Sequence, residues 1–168
     1  MAFHGMFLGE TGSGKTFKAR TVAGEFRAAS VPVLSFIPEG HHWSEATRNY
    51  HDPERFIAMV NASRRCAVFV EFSDASVEKF DVGFSRLATW SRNLGHRCYF
   101  IAQRHTQIAP TIRDQCRFLW LFRVGFKTAD ILAEEYVDRA LTGAPNLKDY
   151  HYFLKKRGVP ATMHGPGK

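Results

Sequence analysis

Apolar and polar positions along this chain follow two periods that take turns. A short apolar stretch, His4 to Leu8, runs into a glycine-rich segment. From Lys15 to Ala29 the apolar residues Phe17, Val22 and Phe26 recur at helical spacing, which predicts a helix. VPVLSFI, Val31 to Ile37, predicts a strand stopped by Pro38-Glu39-Gly40. Gly40 to Tyr50 is polar and reads as a loop. Asp52-Pro53 starts a helix, because an Asp accepts from free amides and a Pro fits the first turn; this helix runs to about Ser63. CAVFVEF, Cys66 to Phe72, is nearly continuous apolar sequence, the pattern of a strand covered on both faces. Val77, Phe80, Phe84, Leu87 and Trp90 predict a long helix from Ser76 to Leu94, ended by Gly95. CYFIA (Cys98 to Ala102) and FLWLFRV (Phe118 to Val124) predict two more strands, with a short helix from Pro110 to Cys116 between them. Thr128 to Leu141 is amphipathic and helical, broken at Gly143 to Asn146. Tyr150 to Met163 reads as a strand or hairpin, and His164 to Lys168 as a loose basic tail.

Strands alternating with helices predict an α/β fold, a mainly parallel central sheet flanked by helices, with a small C-terminal strand or hairpin. The 168 residues suit one domain, 1–168, with one core. No run of about 18 apolar residues could span a membrane, and the N-terminus lacks the basic-then-apolar order of a signal peptide. Cys66, Cys98 and Cys116 edge apolar runs and lack metal-ligand spacing, so they read as small buried hydrophobes of a reducing compartment. The histidines, including His41-His42, have no partners at metal-site spacing. The net charge of +7 points toward a polyanionic partner. Its distribution adds to this: Arg86, Arg92, Arg97, Arg104, Arg113, Arg117, Arg123 and Lys127 are interrupted by one acid, Asp114.

The strongest chemical signal is GETGSGKT, Gly9 to Thr16, which satisfies G-x-x-x-x-G-K-[ST] between a predicted strand and a predicted helix. Gly9, Thr11, Gly12, Ser13 and Gly14 let the backbone wrap phosphates, and the amides with the helix N-terminus form an anion nest. Lys15 would reach the β- and γ-phosphates of ATP, and Thr16 would place its hydroxyl on Mg²⁺. Such a site needs a carboxylate at the end of a buried strand, and Glu71 supplies one after AVFV. It is a candidate for Mg²⁺ or for the attacking water. Phe72 stands where a second acid commonly follows, so Asp74 is the other acidic candidate, with an N-cap as its alternative role. Gln103, directly after CYFIA, is placed to sense a γ-phosphate, or else is a solvated loop residue.

Taken in order, GETGSGKT, AVFVEFSDA, SRNLGHRCYFIAQR and APTIRDQCRFLWLFR resemble the FtsK/HerA group of P-loop DNA translocases. Within that group they look most like the genome-packaging ATPases of tailless icosahedral, often membrane-containing, viruses; NLKDYHYFLKKRG is similar to their closing segment. The resemblance implies a P-loop NTPase of additional-strand, RecA/FtsK-like type. It implies that Lys15 and Thr16 bind phosphate and Mg²⁺, that Glu71 is the strand-end acid and Gln103 the sensor. Arg92 would be an arginine finger for a neighbouring subunit, with Arg113 and Arg104 as weaker candidates. A finger in trans requires a homo-oligomeric ring, a pentamer or hexamer. It further implies an ATPase that packages double-stranded DNA without reading bases, working with capsid or portal-vertex proteins in the host cytoplasm and at the virion vertex. For the DNA grip the candidates are Arg48, Lys79 and Arg86, with Trp43 and Tyr50 in the loop Gly40 to His51. Phe72 departs from the family pattern and leaves the catalytic base open. The alternatives are a filamentous-phage assembly or DNA-transfer motor, a small P-loop nucleotide kinase, and a non-hydrolysing ATP switch.

Overall fold

The computed structural model describes residues 3–73 and 77–166, with the backbone alone for residues 77–81. Eight strands form a single sheet in the order β3-β2-β4-β5-β1-β6-β7-β8. The central strand is β1 (His4–Leu8), buried along its whole length. It pairs in parallel with β5 (Arg97–Ala102) on one side and β6 (Cys116–Leu121) on the other. Beyond β5 lie β4 (Ala67–Glu71), β2 (Val33–Phe36) and β3 (Arg48–Tyr50), all parallel. Beyond β6, β7 (Tyr152–Lys156) and β8 (Val159–His164) form an antiparallel hairpin.

The two-residue alternation of the strands splits the core into two layers. Phe7, Ala67, Phe69, Tyr99 and Ile101 face one way and pack on α1 (Lys15–Ala28) through Ala19, Val22 and Ala23. Met6, Leu8, Val68, Val70 and Phe100 face the other way. There they meet α2 (Pro53–Ala62), α3 (Val77–Trp90), α4 (Pro110–Gln115) and α5 (Phe126–Glu135). One face of the sheet thus carries four of these helices and the other carries one.

Several boundaries differ from the sequence reading. The polar segment before residue 50 contains a strand: Arg48–Tyr50 pairs with Leu34–Phe36. It is three residues long, at the sheet edge, and too short to show a period. Asn49 fixes the loop before it, accepting from Ser35 Oγ at 2.8 Å and Trp43 N at 3.0 Å. The helix expected from Ser76 gives way to a 3-10 turn at Ser91–Leu94, and Gly95 closes it at φ 75°. β6 starts and stops earlier than FLWLFRV, although Phe122 and Val124 remain buried. α5 ends at Glu135, before the left-handed Val137 (φ 51°), and the amphipathic pattern continues in a 3-10 segment, Arg139–Asn146. There Asp138 Oδ2 accepts from Lys155 Nζ at 2.8 Å and from Ala161 N at 2.7 Å, joining this segment to the hairpin. His164, expected in a loose tail, ends β8 with its ring stacked on Tyr152 at 5.2 Å.

Two buried histidines bind the strand starts. Cys98 N donates to His4 Nδ1 and Cys66 N to His96 Nδ1, each at 3.0 Å. His96 Nε2 completes the tie to Val60 O at 3.0 Å. Burial, helped by the charge of Arg92, pushes His4 from 6.5 to about 4, and burial lowers His96 as well. All three cysteines are buried and free. No helix among the described residues is long and apolar enough to cross a membrane.

Candidate nucleotide-binding site

The glycine-rich loop leaves the C-terminal end of β1 and enters α1. Gly9 N donates to Ala102 O (3.3 Å) and Glu10 N to Arg123 O (2.9 Å), so the loop springs from between the ends of β5 and β6. Ser13 is fully buried and turns inward, its Oγ giving a hydrogen bond to Glu10 O at 2.7 Å. Thr11 and Gly12 are exposed at the tip. Gly14, at φ 101°, is the N-cap of α1, with no side chain capping the first turn and no acid within it. First-turn amides without a side-chain acceptor are free to meet an anion. A Cβ at Gly14 would also lie 2.7 Å from the Tyr150 ring, so both conformation and space require glycine there.

The strand-end acid and the loop threonine meet. Thr16 Oγ1 lies 3.1 Å from Glu71 Oε1, across 55 residues of sequence. Strand alternation explains why residue 71 does this and residue 72 does not. Glu71 follows Ala67 and Phe69 onto the α1 side, whereas Phe72 follows Val68 and Val70 into the opposite layer, stacked with Phe100 at 6.2 Å. Glu71 Oε2 is buried and has no hydrogen-bond partner among the described residues. An unmatched buried carboxylate oxygen beside a threonine hydroxyl fits a hydrated divalent cation such as Mg²⁺. Lys15 is 7% exposed, and burial lowers its pKa against the raising effect of the Glu71 charge. An ammonium held this dry gains more from a phosphate than one in water would. Gln103 is exposed immediately past β5, at the same sheet edge, with its N–H on Gln107 Oε1 at 2.8 Å. Asp74 lies outside the described residues.

A second layer of contacts, absent from the sequence reading, holds the loop from the C-terminal side. Tyr150 N donates to Ser13 O at 2.8 Å. Arg123, just past β6, pairs with Glu10 at 3.2 Å and with Asp149 at 2.9 Å. Their separation in sequence hides them.

Against known proteins, no family model matches the chain, and no curated protein matches it. Solved structures do. The genome packaging NTPase B204 from Sulfolobus turreted icosahedral virus 2, in complex with AMPPCP, superposes with TM-score 0.78 over 99% of this chain and 98% of that one, at 13% identity. The pCW3 conjugation coupling protein TcpA gives TM-score 0.71 at 16% identity, over 96% of this chain and 59% of that one. The cytoplasmic domain of the Thermomonospora curvata type VII secretion ATPase EccC gives 0.68 at 14% identity, over 96% of this chain and 25% of that one. The chain has the fold of the FtsK/HerA-type ATPases.

On that fold the basic residues that looked contiguous in sequence go to separate places. Arg113 is 8% exposed and committed: it forks onto Glu135 at 2.7 Å and donates to His105 O and Ile108 O. It is a buried clamp between α4 and α5, unsuited to serve as a finger. Arg104 is exposed after β5, and Arg123 flanks the loop. Arg92, Arg97 and Arg117 sit at the opposite, N-terminal edge of the sheet. Arg92 is exposed there, resting on Gln115 Oε1 at 2.9 Å. Six residues of β5 separate that edge from the loop, about 20 Å at strand rise, so Arg92 cannot reach a nucleotide held by its own chain. Of the DNA candidates, Arg48 is exposed on edge strand β3 and Arg86 on α3, while the Lys79 side chain lies outside the described residues. Trp43 is corrected: it is 2% exposed and packs on Phe69, filling the α1 layer because its polar neighbours close over it. Tyr50 likewise packs on Phe56. Neither ring is presented to a polyanion. Among the described residues no group of His, Cys, Asp and Glu has the arrangement of a metal cluster.

Proposed function

We propose that this chain is an ATPase that drives double-stranded DNA into a preformed viral capsid. The observation that carries the ATPase reading is the meeting of Thr16 and Glu71 at the mouth of the phosphate loop, with Glu71 Oε2 buried and unmatched among the described residues. In this reading the amides of residues 12–16 take the phosphate oxygens, and Lys15 bridges the β- and γ-phosphates. Thr16 and Glu71 would hold Mg²⁺, whose charge would offset that developing on the phosphoryl oxygens. The water that attacks the γ-phosphorus, as the bond to the β–γ bridging oxygen breaks, would be oriented by Glu71 or by Asp74, whichever of the two acids is not engaged with Mg²⁺. Gln103 registers the loss of the γ-phosphate. Arg92 acts in trans, completing the site of the next subunit in a ring, since its own loop lies at the far edge of the sheet.

Packaging rather than another transport task is supported by the near-complete mutual coverage with a viral genome packaging NTPase. The coupling and secretion ATPases are longer chains of which this one spans part, and a DNA-transfer motor is the second reading they favour. A basic chain of charge +7 suits a phosphate-backbone partner gripped without base reading. The corresponding partners are capsid or portal-vertex proteins, and the location the host cytoplasm and virion vertex.

The deciding experiment is steady-state ATP turnover with and without double-stranded DNA, for the wild type, for Lys15→Ala and Arg92→Ala singly, and for the two variants mixed. DNA-stimulated turnover, lost in each variant and partly restored on mixing, is the expected result. Turnover indifferent to DNA, with Arg92→Ala as active as wild type, would favour a nucleotide kinase. Nucleotide binding without any turnover would favour a switch.

A further inference from the structure

At the exit of β5 the backbone leaves the sheet beside the glycine-rich loop. The last register pairs of β5 are Glu71 with Ile101 and Leu8 with Ala102. The carbonyls of Ile101 and Ala102 take the N–H of Phe72 at 2.9 Å and of Gly9 at 3.3 Å. Gln103 and Arg104 come next, past the ladder, with exposed side chains and two backbone N–H groups to satisfy outside it. One side-chain oxygen accepts both: Gln107 Oε1 lies 2.8 Å from Gln103 N and 3.0 Å from Arg104 N. Gln107 is 7% exposed and ends a 3-10 turn, His105–Gln107, its own N–H returning to Arg104 O at 3.1 Å. The rest of the segment is held from the helices. Arg113, on α4, donates to His105 O at 3.0 Å and to Ile108 O at 2.7 Å, and His105 Nδ1 lies 3.0 Å from Thr128 Oγ1 on α5. These ties fix residues 105–108, while the two residues nearest the loop are set by Gln107.

Resting on the reading of Gln103 as the γ-phosphate sensor, we infer that Gln107 is its positioning residue, the group that decides whether the chain tells ATP from ADP. Gln107 touches no nucleotide and acts through Gln103. Two consecutive N–H groups held by one buried acceptor give the Gln103 side chain a single starting direction, one residue past the carbonyl that receives Gly9 N. A side chain that must meet one phosphate oxygen needs this, because a misplacement of about 1 Å can cost on the order of 10²-fold. The residue type fits the task. An amide oxygen has two lone pairs and no charge, so it accepts from both N–H groups without setting a negative charge behind the seat of a triphosphate. A carboxylate would accept more strongly and repel the nucleotide. An aliphatic side chain would deprive both N–H groups of this acceptor. The preference for ATP over ADP measures the γ-phosphate contact, so it depends on a buried residue that meets neither nucleotide.

The test measures Kd for Mg-ATPγS and Mg-ADP by calorimetry, with kcat for ATP alongside. Five forms of the full chain are used: the wild type, Gln103→Ala, Gln107→Met, Gln107→Glu, and the double variant Gln103→Ala/Gln107→Met. Gln107→Met keeps the length of the side chain and removes the acceptor. It should hold ADP within about twofold of wild type while its preference for ATPγS over ADP falls about tenfold, the scale of one hydrogen bond to a charged group. Gln103→Ala should show the same fall, and the double variant should fall no further, as expected of residues that act through one another. A merely structural role would lower the thermal midpoint and leave the ratio of the two affinities alone. Gln107→Glu keeps both bonds, so its kcat at saturating ATP should return toward wild type although both nucleotides bind more weakly. A wild-type ratio in Gln107→Met would overturn the inference. So would a kcat in Gln107→Glu as low as that of Gln103→Ala, and this arm decides the matter if Gln107→Met does not fold. A wild-type ratio in Gln103→Ala would sink the sensor reading on which the inference rests. Failure of the wild type to bind either nucleotide would sink the phosphate-loop reading.

Discussion

Glu71 and His4 show how single residues are set by what surrounds them. Glu71 lies at the one strand position that is both at the exit of β4 and on the α1 side, so its carboxylate reaches Thr16. Glu71→Gln keeps the volume and the hydrogen bond but loses the charge. Nucleotide binding should survive within a few-fold while turnover falls by about 10²- to 10³-fold, read as kcat against Kd. His4 gives a stability prediction with a definite sign. Its folded pKa, about 4, lies below the ordinary 6.5, so below pH 6.5 the unfolded chain takes up a proton that the folded chain refuses. Stability should be flat near neutrality and decline as pH falls from about 6.5 toward 4, by up to about 3 kcal/mol from this residue alone. Denaturant melts across that range check it, and a His4→Gln variant should show a shallower decline.

The elements were legible where the pattern is local and lost where it depends on partners. VPVLSFI, CAVFVEF and CYFIA announced buried parallel strands because central strands are apolar on both faces. The start of α2 was equally plain: Asp52 accepts from Arg55 N at 2.8 Å with Pro53 next to it. Asp52→Ala should cost about 1 kcal/mol in a chemical melt. β3 gave no sign, since three half-exposed residues at an edge carry no period. Trp43 was misplaced because polar sequence surrounds a ring that tertiary packing buries. The glycine-rich loop and Glu71 could be read from spacing, but the Arg123–Glu10 and Tyr150–Ser13 contacts join distant parts of the chain and leave no trace in the local pattern. The junction of α5 with the hairpin was similarly hidden. Lys155 and Asp138 form an ion pair there with side chains 4% and 13% exposed. Lys155→Ala strands a carboxylate in that pocket and should lower the thermal midpoint by roughly 6 to 20 °C.

At the scale of the whole molecule, the sheet sets two groups of candidate residues at opposite edges. The C-terminal edge carries the loop, Glu71 and Gln103, and the N-terminal edge carries Arg92, Arg97 and Arg117. A head-to-tail contact that sets one edge against the next subunit's other edge closes into a ring if its rotation permits. If DNA lies along such a ring, its stimulation of turnover should be the same for unrelated sequences and should fall steeply between 50 and 200 mM salt. The hydrogen bond from Tyr150 N to Ser13 O has a consequence on a different axis, that of time. During synthesis at about 5–20 residues per second, the nascent chain carries its complete GETGSGKT motif for on the order of ten seconds before residue 150 exists to brace it. A polypeptide stalled anywhere in that interval displays the motif without the brace, so newly made chains should gain nucleotide affinity late and abruptly as the hairpin emerges from the ribosome.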